Sequence, residues 1–524
     1  MAEPKIVYYH DGRHPHIYRY EPPMYPEEYQ ACIDELATTS VEAVMFGLAE
    51  GRTLLHDTRA GELWGHNVDK WDHLVFKRAH QNAKSLIDAG FDPLRLVCDR
   101  GREKGILIYP TLLVQTPGPE SCPVRCSNFR FDNPHLQIGG RGDLDPEMPG
   151  ITGLDFNHRE VREERFAIVE EAVNEYPVDG FELCLNYQDA LFFHPDEVEA
   201  GRTTMTDWVG RIHEEVKRSG DNRELVVRIP LGLEDCAGIG FDPEEWIRLG
   251  IVDVIAPEPL GGAHRLDPNL DFTPYLEAAA GTKTRVLAVL HARVGNDRIG
   301  DGPIAMMRAA ACNYWDQGVD GIYMAQWFQQ WPYEGQFYEK LRELPHPDIM
   351  AAKDKYYYVP TEIDRPWNRL VTTDLPAVMK LNEPAGARFV ISDDLPRWHE
   401  RGRVHEVLLR VGISNVTEID RIRFDLNGVE LPGRICRRIN QAYRMNAPRH
   451  RSGPTYWFVF RLEPEQWPVR GENRLAATLT YRDGHLLGEV LLRDLELEIK
   501  YLIGKSFHRE YLDPDLGHYE RSGM

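Results

Sequence analysis

The 524-residue chain has no uninterrupted apolar run of about 18 residues, the length a membrane-spanning helix needs. Its first residues, "MAEPKIVYYHDG", lack the charged-then-apolar pattern of a secretory signal and run straight into a strand pattern. This predicts an intracellular protein, or one whose signal is absent from this sequence. Positive charge is scarce: 61 Lys and Arg stand against 83 Asp and Glu, a net charge of -22. Such a surface repels phosphate backbones and anionic lipid. Neither nucleic acid nor a membrane is therefore an expected partner, although a local basic pocket is compatible with the total. The densest basic run, "RICRR" at 434–438, reads as a solvated strand end.

Several chemical signatures are also missing. No G-x-G-x-x-G follows the first strand pattern, and there is no P-loop and no G-x-S-x-G elbow. Dinucleotide, nucleotide and serine-hydrolase chemistry lose their usual markers, and no cofactor is expected. The eight cysteines are scattered. Only Cys122 and Cys126, in "SCPVRC", lie close together, and C-x3-C without a second pair is a weak zinc signal. Free thiols, a local disulfide and a metal pair all stay open there.

What the chain does have is a rhythm. Apolar β-rich runs occur at 5–12, 41–51, 106–114, 178–186, 224–232, 252–259, 284–294 and 319–328, each followed by an amphipathic stretch. Eight such units in this order predict an α/β fold, a (β/α)8 barrel, over 1–349. The segment "DPLRLVCDRGREKG" shows helix punctuation, with Asp92 to cap and Gly105 to close. A loop of unusual length, 115–158, leaves the third strand and is expected to wall a pocket. After a connector at 350–375, period-two segments separated by turn signals predict an antiparallel β-sandwich over 376–503. A polar tail fills 504–524.

In a barrel enzyme the chemistry sits at the C-terminal ends of the strands. That rule selects His10 and Asp11 on strand one, Glu50 after strand two, and Glu182, Asn186 and Asp189 on and after strand four. It adds Arg228, Glu258 and His291 on strands five to seven, then Gln326 and Trp327, with Trp331 close behind. Carboxylates and amides bond sugar hydroxyls, and tryptophan faces stack on sugar rings. Two carboxyl groups flanking a glycosidic bond supply acid and nucleophile or base. Along "FELCLN" strand alternation places Glu182, Cys184 and Asn186 on one face, assigned to the barrel interior. Buried there, Glu182 is either catalytic or the partner of a cation such as Arg228.

The segments "NPHLQIG", "LDFNHREVREERFAIVEEAVNEYPVDGFEL" and "LGLEDCAGIGFDPEEWIRLGIVDVIAP" resemble those of glycoside hydrolase family 10-like barrel proteins. The resemblance covers 1 to about 344. It implies a (β/α)8 barrel acting on a poly- or oligosaccharide. The strand "VDGFELCLN" departs from two better-known patterns: Cys184 stands where amylase-like and α-galactosidase-like barrels place an aspartate, and Asn186 where chitinase-like barrels place a glutamate. The expected catalytic set is Glu258 as general acid with Glu182 or Asp189 as its partner. His10, Asp11, Glu50, Asn186, Arg228, His291, Gln326, Trp327 and Trp331 are expected to bind substrate. Two rival readings stay open: a non-catalytic carbohydrate-binding barrel, and a metal-dependent lyase or isomerase using the histidines of "HDGRHPH". The sequence leaves the oligomeric state undecided, a homo-oligomer included.

Overall fold

A computed structural model describes residues 3–115, 123–187, 191–260, 265–294, 301–361, 374–441, 455–507 and 509. Eight parallel strands close into a barrel: β1 (Ile6–His10), β2 (Ala43–Gly47), β3 (Leu107–Leu113), β4 (Gly180–Cys184), β5 (Glu224–Pro230), β6 (Val254–Glu258), β7 (Arg285–His291) and β8 (Gly321–Ala325). Neighbours follow chain order, and β8 returns to β1 with Tyr8 opposite Met324. The strands are buried almost end to end, which is why they read as apolar runs rather than as alternating ones.

The helices that cover them include α1 (Pro26–Asp34), α2 (Leu74–Asp88), α3 (Pro93–Lys104), α4 (Arg159–Glu175), α5 (Val198–Ser219), α6 (Pro243–Leu249), α7 (Thr273–Ala279), α8 (Ile304–Gln317) and α9 (Gly335–Glu343). Their ends follow local chemistry. The Asp92 carboxylate accepts from the Arg95 N–H at 3.0 Å, satisfying a donor left free at the start of α3. Gly105 ends the helix at φ +71°, a conformation that suits glycine. Among the described residues no helix is long and apolar enough to cross a membrane.

The second strand is shorter than its apolar run. It stops at Gly47, and Ala49 adopts φ +112° before a small three-stranded patch formed by residues 49–63. The loop after β3 contains several short helical turns between residues 123 and 141 rather than open coil. Cys122, of the pair with Cys126, lies outside the described residues.

Among the described residues the C-terminal region has ten strands: β9 (Lys355–Val359), β10 (Ala377–Met379), β11 (Pro384–Ile391), β12 (Val404–Ser414), β13 (Arg421–Leu426), β14 (Val429–Glu430), β15 (Cys436–Asn440), β16 (Thr455–Arg461), β17 (Gly471–Tyr481) and β18 (Val490–Tyr501). One sheet runs β9-β18-β12-β16-β15, with β10 also on β18, and the other runs β11-β17-β13-β14. Alternate residues such as Val407, Leu409, Val411, Leu495, Leu497 and Ile499 fill one core together with Phe424, Phe458 and Phe460. The period-two pattern seen in the sequence is this alternation. Residues 355–359, inside the stretch read as a connector, form the strand β9 on β18.

Barrel and sandwich meet along a hydrogen-bonded seam. Asn269, between β6 and α7, donates to the Tyr358 carbonyl at 2.9 Å and accepts from the Val390 N–H at 3.0 Å. Asn313 of α8 donates to the carbonyls of Pro268 and Val390, both at 2.8 Å. Beside this seam lies Lys355, which is fully buried. Its ammonium donates to Asp393 Oδ1 at 2.9 Å, and that carboxylate also accepts from Tyr357 and Tyr501, each at 2.5 Å. Removing one partner of such a pair leaves a buried charge uncompensated, at a cost of about 3–5 kcal/mol. Lys355→Met should therefore lower the free energy of urea unfolding by roughly 3 kcal/mol or more. A loss below about 1 kcal/mol would show that Asp393 is satisfied by its two tyrosines alone.

Candidate functional site

Strand alternation sends every second side chain into the barrel, and the contacts fix which ones. Tyr9, Thr111, Glu182, Arg228, Glu258, His291 and Tyr323 meet inside it. Arg228 lies at the centre and is buried. Its Nε is 3.2 Å from Glu182 Oε1, and its Nη1 is 3.6 Å from Glu258 Oε1. The guanidinium also stands over the Tyr9 ring at 4.5 Å and near the Tyr323 ring at 5.3 Å. Burial works against its charge, but Cys184, Tyr323, Glu182 and Glu258 together outweigh that and hold its pKa well above the ordinary value.

Glu182 is clasped from three sides. Thr111 donates to Oε2 at 2.5 Å, Tyr323 donates to Oε1 at 2.7 Å, and Arg228 provides the ion pair. Both Glu182 and Glu258 are fully buried. At the strand ends above, Glu258 Oε2 lies 3.2 Å from His291 Nε2. Two neighbouring strands thus present a carboxyl and an imidazole within proton-transfer reach. The Cys184 thiol is pushed up to about 12, chiefly by burial, which suppresses the thiolate a nucleophile needs. The Asn186 amide donates to the Pro259 carbonyl at 2.9 Å, tying the loop after β4 to the loop after β6. Asp189 lies outside the described residues.

The other expected residues go elsewhere. Tyr9 faces the interior, so His10 faces the helix layer, where it stacks on Phe46 with ring centroids 5.5 Å apart. Its Nδ1 accepts from the Gly12 N–H at 3.1 Å. Asp11 accepts from the backbone N–H groups of Arg13 and His14 and pairs with His14 Nδ1 at 2.7 Å. Burial opposes its ionisation, but His14 and Arg13 hold its carboxyl well below the usual range. Glu50 is buried between two arginines: Arg13 Nη1 donates to it at 2.5 Å and Arg125 Nε at 2.6 Å. Gln326 ends β8 at φ +63° and accepts from Gln329 at 3.1 Å.

Trp327 does not offer the sugar platform expected of it. Trp327 is fully buried, with its indole N–H on the Leu290 carbonyl at 2.9 Å, so its ring has no face open to a ligand. Trp331 is exposed, with the Arg19 guanidinium over its ring at 4.7 Å and its N–H reaching Glu35 at 3.2 Å. The histidines of "HDGRHPH" also part company: His10 stacks on Phe46, His14 pairs with Asp11, and His16 stacks on Tyr29 at 4.3 Å. Among the described residues no three His, Cys, Asp or Glu side chains converge as a metal site. Each of the three histidines is thus engaged by a different neighbour.

Sequence reasoning missed Tyr9, Thr111, Tyr323, Arg13 and Arg125. The first three have the inward parity of their strands. Arg13 lies within the histidine-rich loop and Arg125 between two cysteines.

No protein-family model matches the chain, and no curated protein matches it. The family suggested by its segments stands as a resemblance. Solved structures of similar shape include a cycloisomaltooligosaccharide glucanotransferase from Paenibacillus sp. (TM-score 0.35, 12% identity, 94% of this chain and 57% of that one). Others are alpha-L-fucosidase isoenzyme 2 from Paenibacillus thiaminolyticus (0.42, 13%, 67% and 49%) and an endo-1,4-beta-mannanase from Rhizomucor miehei (0.40, 11%, 63% and 92%). The chain spans about half of the first two, 57% and 49% of their lengths. At these TM-scores the likeness decides neither substrate nor mechanism. The fold rests on the closed barrel itself.

The packing of His10 and His16 has a consequence for stability. Burial lowers both rings from an ordinary 6.5 to about 3. Below pH 6.5 the unfolded chain takes up these protons and the folded chain does not, so stability is present above that pH and is lost as pH falls toward 3. His16 has no hydrogen-bond partner on either ring nitrogen among the described residues. His16→Phe, which keeps the stack on Tyr29, should flatten the fall in melting temperature between pH 6.5 and 4 while changing neutral-pH stability by less than about 1.5 kcal/mol. An unchanged acid slope in this variant would refute the assignment.

Proposed function

We propose that the protein is a glycoside hydrolase acting on a poly- or oligosaccharide at the C-terminal mouth of the barrel, with Glu258 as general acid. One observation carries this reading: Glu258 lies at a strand end, 3.2 Å from His291 and 3.6 Å from Arg228. An imidazole beside a carboxyl group lets a proton be held and passed on, and a nearby guanidinium fixes the carboxyl's orientation. The resemblance of its segments to family 10-like barrels supports the substrate class.

Glu182 takes the role of fixed counter-ion. Its three partners leave it clasped beneath the mouth, and losing it would leave Arg228 without its shortest ion pair. The second carboxylate of the hydrolytic pair is then Asp189. The barrel is the catalytic unit, and the sandwich supports it.

A second reading, a carbohydrate-binding barrel without catalysis, draws on the strand-four positions. Cys184 and Asn186 replace carboxylates, the thiol is held at about 12, and the amide is committed to the Pro259 carbonyl.

The variants Glu258→Gln, Asp189→Asn and Glu182→Gln separate these roles on a panel of oligosaccharides and aryl glycosides. Loss of the acid should lower kcat/KM on unactivated glycosides by about 10²–10⁴-fold and much less on nitrophenyl glycosides, whose leaving group needs little protonation. Asp189→Asn should reduce both substrate types alike. Glu182→Gln should chiefly lower the melting temperature. Glycan binding by the wild type without cleavage of any panel member would favour the second reading.

A further inference from the structure

We infer that Arg13 and Arg125 form an anion subsite at the barrel mouth, one that takes the carboxylate or sulfate of an acidic saccharide. The saccharide part rests on the function proposed above.

Glu50 organises the pair. Arg125 grips its carboxylate with two N–H groups, Nε to Oε2 at 2.6 Å and Nη2 to Oε1 at 2.8 Å. Arg13 Nη1 donates to the same Oε1 at 2.5 Å. Two guanidinium groups on one oxygen lie side by side, and a single buried carboxylate holds both. Asp11 touches Arg13 Nε at 3.4 Å, but its closest partner is His14 Nδ1 at 2.7 Å, and it also accepts two backbone N–H bonds at 3.1 Å. The arginine pair is thus served mainly by one carboxylate.

The inner edges of these groups are locked and the outer edges are open. Among the described residues Arg13 Nη2 and Arg125 Nη1 have no acceptor, and the side chains are 17% and 29% exposed. Arg125 also approaches the Tyr187 hydroxyl at 3.5 Å, and Arg13 stands over the Trp64 ring at 5.5 Å. Fixed guanidinium forks with free N–H groups bind planar or tetrahedral oxyanions at little further entropic cost. The backbone that delivers Glu50 is strained: Ala49, just before it, adopts φ +112°. Arg13 follows the end of β1, Glu50 follows the end of β2, and the Gly51 N–H donates to the Leu113 carbonyl at the end of β3 at 3.1 Å, so the subsite lies at the same C-terminal end of the barrel as Glu258. On a protein of net charge -22 these two guanidinium groups are cations held in place by a buried carboxylate.

Calorimetric titration of the full chain with trigalacturonate, a sulfated galactose disaccharide and neutral galactotriose tests the assignment. At least one acidic probe should bind about tenfold or more tightly than galactotriose, with affinity falling as sodium chloride is raised. The preferred probe identifies carboxylate or sulfate as the anion. Arg125→Gln should remove most of that advantage and leave galactotriose binding alone, and Arg125→Lys should restore only part of it, since an ammonium offers no fork. The exposed Arg434→Gln in the sandwich should change nothing. Equal affinity for acidic and neutral probes, or an Arg125→Gln variant that binds the acidic probe as well as wild type, would overturn the subsite. Acidic probes bound but never cleaved sustain the subsite and count against the hydrolase. Neutral glycans cleaved, with acidic probes left unbound, count the other way.

Discussion

A guanidinium group in the middle of a barrel dictates what may surround it. Arg228 is out of contact with water, and an isolated charge there would be prohibitively costly. Its neighbours answer that demand from several strands at once: Glu182 from β4, Glu258 from β6, Tyr9 from β1 and Tyr323 from β8. Thr111 of β3 enters through Glu182. The cluster therefore cross-links most of the barrel through polar contacts, where many barrels use branched aliphatic layers. Buried ion pairs are a poor source of net stability but hold groups in unique positions. What this one holds in position is the carboxyl of Glu258 at the mouth.

The barrel itself was legible because its signals are local. Apolar runs, breaks between them, the cap at Asp92 and the closing Gly105 all act within a few residues. The interior face of β4 was legible for the same reason, since alternation needs only a strand. The fate of residues just past the strands was not. Gln326 in a left-handed conformation turns the chain, and the next residue, Trp327, drops back onto the Leu290 carbonyl. A rule based on distance from a strand end cannot see that reversal. His10 is a different case: parity with Tyr9 points it outward, and its position at the strand end concealed this.

The seam between the domains changes what the sandwich is for. Asn269 and Asn313 bind the main chain of Tyr358, Pro268 and Val390. The Tyr358 hydroxyl donates to the Leu266 carbonyl, and Tyr314 donates to the Asp267 carbonyl at 2.5 Å. Residues 266–269 are therefore pinned, and they belong to the segment that leads away from β6 and Glu258. A segment proposed to carry a catalytic group needs something rigid to position it. Here the rigid element includes the second domain, whose strand β9 both joins a sheet and anchors the loop.

Average charge and site charge answer different questions. The chain's surplus of acidic residues governs approach at long range, where salt screens it within about 8–10 Å. Inside the mouth, the distances between groups are shorter than that. Glu258 faces His291 and Arg228, and Glu50 faces Arg13 and Arg125, so each carboxylate is matched locally. A short ligand with one or two anionic groups, of the kind proposed for the arginine pair, meets these local groups rather than the total of -22.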